Sequence, residues 1–149
     1  MLTTNLIQQQ QLLAAIPAFI NYVSWHVDDY INSPVAHVRE WANGPWAQRC
    51  KTGLPMYKIN GIESWSDTGT GTIFTDIDLD VFYLGANSFQ RTSFRLWPDM
   101  TLESLCDRLC MNILGADYYI TNWIQHQDFI SVCEDFIKTY RNHHKGLVI

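Results

Sequence analysis

Two periodicities divide the chain. Residues 6–16 carry Leu6, Leu12, Leu13 and Ile16 around the polar but helix-compatible run Gln8, Gln9, Gln10 and Gln11, and predict a helix. Pro17 cannot continue it but suits the first turn of another, whose apolar positions Ile20, Val23, Val27, Tyr30 and Ile31 follow a 3.6-residue period, so a kinked pair is expected. Ser33-Pro34 then reads as an N-cap and first-turn proline, Val35, Val38, Trp41 and Ala42 as the stripe of a short helix, and Asn43-Gly44 as its stop. Residues 45–55 are loop-like. After them the period becomes two.

Residues 56–59 and 62–65 flank Asn60-Gly61, a pair suited to a type I′ turn, and predict a hairpin. A turn at 66–69 leads to a long strand over 70–84. One face of that strand carries Ile73, Ile77, Leu79, Val81 and Tyr83, and the other Thr72, Phe74, Asp76, Asp78, Asp80 and Phe82. Residues 91–97 alternate again, with Thr92, Phe94 and Leu96 opposite Arg91, Ser93, Arg95 and Trp97, and should pair with the long strand. Pro98-Asp99-Met100-Thr101 opens a helix whose stripe is Leu102, Leu105, Cys106, Leu109, Cys110, Ile113 and Leu114, closed by Gly115. Residues 118–127 are ambiguous. Asp128 caps a last helix with Phe129, Ile130, Cys133, Phe136, Ile137 and Tyr140 on one side, and the tail 141–149 reads as frayed. The expected fold is one α+β domain over residues 1–149, an antiparallel meander of three to four strands packed against N- and C-terminal helices.

Composition narrows the function classes. Only 17% of residues are charged and 47% are apolar, with six tryptophans and seven tyrosines, a balance that predicts surface covered by other protein chains, including copies of this one. Net charge is −5 and the ten Lys and Arg are scattered, which argues against tight nucleic-acid binding. Neither a membrane-length apolar run nor a secretory leader is legible, so a cytoplasmic location is expected. Cys50, Cys106, Cys110 and Cys133 form no C-x-x-C pair and read as reduced, largely buried thiols. His26, His37, His126, His143 and His144 lack ligand spacing, and nucleophile motifs are absent, so no metal, no cofactor and no catalytic residue is expected.

The candidate binding site is the acidic strand face Asp76, Asp78 and Asp80, whose carboxylates alternation spaces about 6–7 Å apart on one side. The Asp76-Ile77-Asp78 segment resembles the acidic strand of nucleotidyltransferases, which would make Asp76 and Asp78 metal ligands. That family's Gly-Ser at a helix start upstream is replaced here by Trp65-Ser66. A plainer reading pairs the aspartates with Arg91 and Arg95 on the neighbouring strand. A third makes them a phosphate mimic, in an inhibitor or immunity protein that blocks a basic cleft. The element order, an N-terminal helix, a meander with a long strand and an amphipathic helix directly after it, resembles the small joining and terminator proteins of tailed-phage necks and tails. That resemblance implies a non-catalytic, oligomeric virion component, whose acidic face would let DNA pass without sticking.

Overall fold

The computed structural model describes residues 4–34, 36–44, 57–82, 89–112 and 127–149. Helix α1 (Thr4–His26) leads through a 3₁₀ turn (Val27–Tyr30) to α2 (Ala36–Asn43). Strands β1 (Tyr57–Ser66), β2 (Ile73–Phe82) and β3 (Phe89–Leu96) follow, then helices α3 (Leu102–Asn112) and α4 (Gln127–His143). The strands form an antiparallel sheet in the order β1-β2-β3, so the α+β meander packed against N- and C-terminal helices is the fold. Among the described residues no helix is long and apolar enough to cross a membrane. The expectations for residues 45–55, 83–84, Gly115 and most of 118–127 lie outside the described residues, and β3 begins at Phe89, two residues before the expected strand 91–97.

The kinked pair is instead one helix, with Pro17 inside α1. Leu12, Ala15, Ile16, Phe19, Ile20, Val23 and Val27 are all buried and form a stripe at i, i+3 and i+4 spacing that runs past the proline unbroken. Pro17 is exposed, so the ring and the hydrogen bond it cannot make lie on the side of the helix away from the core. Continuous burial on one side outweighs a single lost hydrogen bond on the other. α2 starts at Ala36, after Pro34, and Arg39 Nη1 donates to the Ser33 carbonyl at 2.8 Å. Its stop is as expected, with Asn43 Nδ2 donating to the carbonyls of Ile31 and Arg39 at 2.9 Å each.

Asn60-Gly61 forms no hairpin. β1 runs straight through the pair and stays in register with β2 from Tyr57↔Val81 to Ser66↔Ile73, with one irregularity between Ile59 and Gly61. Asn60 is therefore the extra residue of a β-bulge, which keeps Ile59 and Ile62 on the same face. Neither Asn60 nor Gly61 has the positive φ that a type I′ turn requires. An uninterrupted ladder along β2 offers more pairing than a short hairpin would. The actual turn is at 67–72: Asp67 N donates to Thr72 O and Gly71 N to Asp67 O, both at 2.8 Å. Gly71 takes φ 73° there, a conformation glycine adopts without a Cβ clash.

The inner side of the sheet holds the core. Thr75, Ile77 and Leu79 of β2 and Phe94 and Leu96 of β3 are buried beneath Leu102, Leu105, Cys106 and Leu109 of α3, Val132, Phe136 and Ile137 of α4, and the α1 stripe. Phe136 meets Phe19 edge-on at 5.1 Å and Tyr22 at 5.5 Å between ring centroids. The predicted α3 stripe is buried at each of these positions, and Thr101 caps the helix, its Oγ1 accepting from Ser104 N at 3.2 Å. α4 begins at Gln127, which places Asp128 inside its first turn. Cys106 and Cys133 are free thiols, and burial pushes the Cys106 thiol far above its usual range; Cys50 and the Cys110 side chain lie outside the described residues.

The glutamine run is a clamp. Gln8 Nε2 donates to Met100 O at 2.7 Å and Gln9 Nε2 to Trp97 O at 2.9 Å, fixing α1 to the β3–α3 connection. Gln11 donates to Gly146 O at 3.0 Å and accepts from Val148 N at 2.8 Å, bonding the tail as a neighbouring strand would. The tail beyond α4 is consequently docked rather than frayed: Ile149 is buried, Leu147 packs on the core, and Arg141 donates to Ile149 O while pairing with Glu103 of α3.

Candidate functional site: the uncovered face of the sheet

Alternation sends Asp76, Asp78 and Asp80 to the side of β2 away from the helices. Their neighbours there are Lys58 and Glu63 of β1 and Arg91 and Arg95 of β3. Arg95 lies directly opposite Asp76 and holds it with two hydrogen bonds, Nε to Oδ1 at 2.7 Å and Nη2 to Oδ2 at 3.2 Å. Arg91 lies opposite Asp80 but reaches diagonally to Asp78, again with both guanidinium positions. Hydrogen bonds from Arg95, joined by the Trp65 indole, hold the Asp76 carboxyl below the usual carboxylate range, and Arg91 does the same for Asp78. Asp80 stands between Lys58 and Arg91 in register. The face carries Lys58, Arg91 and Arg95 against Glu63, Asp76, Asp78 and Asp80, three cations to four carboxylates, and is nearly neutral rather than acidic.

The other half of the face is aromatic. Trp65 stacks on Phe74 with centroids 4.6 Å apart and planes 11° off parallel, and Trp97 meets Phe74 edge-on at 6.3 Å. Arg95 lies over both Trp65 and Phe74, at 5.3 and 5.8 Å, while Trp65 Nε1 donates to Asp76 Oδ2 at 3.0 Å. One guanidinium therefore joins a carboxylate and two rings. Phe74 and Trp97 were legible on this side from alternation alone. Trp65 was not set beside Phe74, because the expected turn at 66–69 would place it opposite Thr70, whereas the turn at 67–72 places it opposite Phe74.

β1 is exposed along almost its whole length and on both sides. Its inner-side Ile59 and Ile62 are 38% and 51% exposed, and its outer-side Trp65 is 37% exposed. Trp25, near the end of α1, is 82% exposed. A cleft of about 590 Å³ opens between the start of α1, the 70–72 turn, residues 98–101 and Val148. Its amides are already committed: Gln8 to Met100 O, and Asn5 to Pro98 O through Nδ2 and to Ile73 N through Oδ1. No group of His, Cys, Asp and Glu that could hold a metal ion occurs among the described residues. His26 pairs with Asp29, whereas His143 and His144 lie against the carbonyls of Thr139 and Tyr140.

Comparison with protein-family models, curated proteins and solved structures finds no match to this chain.

Proposed function

We propose that the protein is a non-catalytic assembly component, forming a homo-oligomer or larger complex through the uncovered face of its sheet and through β1. In its particular form the proposal is a neck or tail joining or terminator protein of a tailed phage, found in the virion or in the host cytoplasm during assembly. The observation that carries the reading is one exposed surface on which a cluster of Trp65, Phe74 and Trp97 lies beside a nearly neutral set of charges, next to a strand exposed on both sides. Large aromatic bodies with polar tips and internally compensated charge are what protein interfaces bury. The phage setting draws on element order. Protein contact at this face draws on its aromatic groups together with the paired charges beside them, since Asp76 and Asp78 are committed to arginines.

Mass in solution tests it. The full chain should run at a multiple of its 17.3 kDa. Trp97→Ala, and separately Asp76→Asn, Asp78→Asn and Asp80→Asn combined, should reduce that association while the variants stay folded. Association unchanged in both variants, with only the melting temperature lowered, would assign the face a purely structural role.

A further inference from the structure

The open edge of β1 has an internal symmetry. Asp67 N bonds Thr72 O across the turn, so by the alternation of an antiparallel ladder Ser64 and Ile62 direct their backbone N–H and C=O away from β2. Ile59 and Tyr57 do the same, because they face Leu79 and Val81, which are in phase with Ile77 opposite Ile62. Lys58 and Glu63 lie on the outer side, equidistant from the midpoint between Asn60 and Gly61, and Ile59 and Ile62 lie on the inner side about the same midpoint. The bulge residue Asn60 lies next to that midpoint.

We propose that β1 pairs antiparallel with β1 of a second copy about a two-fold axis between Asn60 and Gly61, joining two three-stranded sheets into one of six strands. The inference rests on the assembly reading and specifies its contact. About this axis Lys58 meets Glu63 of the second copy twice, as a non-hydrogen-bonded pair in which side chains approach most closely. Ile59 meets Ile62 at the flanking hydrogen-bonded positions, so two exposed isoleucines per chain are covered. Tyr57 and Ser64 continue the register. A bulge on an edge strand normally blocks added strands, because a regular partner has one residue too few to span it. A second copy brings the same extra residue to the symmetric place, Asn60 against Gly61 and Gly61 against Asn60, so the counts agree. The edge thus rejects ordinary strands and accepts its own copy, the self-complementary contact of a two-fold dimer.

Charge reversal tests both the partner and the register. Sedimentation equilibrium of the full chain should show self-association in the wild type. Lys58→Glu and Glu63→Lys should each weaken it about tenfold or more, since two attractive pairs become two repulsive ones. Mixing the two variants should restore it, because the carboxylate introduced at position 58 of one chain meets the ammonium introduced at position 63 of the other, while the unchanged Glu63 meets the unchanged Lys58. Folding effects are separable. Within one chain Lys58→Glu places a carboxylate opposite Asp80 and Glu63→Lys an ammonium opposite Asp76, so melting temperatures should move in opposite directions while association falls in both. If Lys58→Glu does not fold, Lys58→Ala and Glu63→Ala make the same test with smaller shifts. A monomeric wild type overturns the pairing and the homo-oligomer together. Association that ignores both reversals, or that mixing fails to restore, overturns the β1 contact alone and leaves assembly through the outer face standing.

Discussion

Ile77 and Ile62 are neighbours in register on the same side of the same sheet, yet one is 1% exposed and the other 51%. Their strands differ little in sequence pattern, since both alternate. The difference lies above them: α1, α3 and α4 bury the inner side of β2 and β3, while β1 extends past the helical layer. Alternation therefore says which residues share a side and leaves open whether anything covers that side. In this fold the answer separates a structural half of the sheet from a half available to partners.

The sharpest way to break that division is a matched pair of truncations. Ile77→Ala should cost about 2–5 kcal/mol, the usual range for a buried aliphatic residue, whereas Ile62→Ala should change the stability of the isolated chain by less than about 0.5 kcal/mol. Chemical denaturation measures both, and similar losses at the two positions would mean that β1 is buried after all. Next in size is Gln8→Ala, which removes the donor to Met100 O and leaves a buried carbonyl unpaired, an effect of about 1–3 kcal/mol. Gln10→Ala, at an exposed position of the same run, should be near neutral in the same titration.

A smaller effect should appear in acid. Asp76, Asp78 and Glu103 have lowered pKa values, through hydrogen bonds from Arg95, Arg91 and Arg141 respectively. For such groups the unfolded chain binds more protons, so their contribution is complete above the ordinary values of 4.5 for Glu and 3.8 for Asp and is lost as pH falls through the lower folded values. Burial raises Asp107, which has the opposite sign and offsets part of the loss. Melting temperature should therefore fall from about pH 4.5 downward, and Glu103→Gln should flatten the slope. The smallest expected change is that of Asp78→Asn, an exposed pair whose removal should barely move the melting temperature at neutral pH.

What the sequence made legible divides along similar lines. The faces of β2 and β3 and the stripe of α3 were readable because each is a local period backed by burial on one side. Asn60-Gly61 and Pro17 misled for a common reason: both are strong local signals, and in each case pairing or packing along a whole element outweighs them. The clamp was invisible, since Gln8, Gln9 and Gln11 bond backbone groups 88 to 137 positions away, and any polar side chain in a helix looks the same before those partners are known. Of the candidate site, the positions of Asp76, Asp78, Asp80, Arg91 and Arg95 followed from alternation. The aromatic half was only partly readable, because Trp65 comes opposite Phe74 only when the turn lies at 67–72 rather than 66–69.

The clamp also sets an order in time. Gln11 leaves a ribosome 137 residues before Val148, yet the two share a hydrogen bond. Until residues 146–149 emerge, the Gln11 amide and the core surface that receives Leu147 and Ile149 lack these partners. Contacts of such long sequence separation form late, after the entropy of closing the whole chain has been overcome. During synthesis α1 therefore waits with part of its apolar stripe unshielded, and chaperone contact in that interval should centre on the N-terminal helix rather than on the strands that follow it.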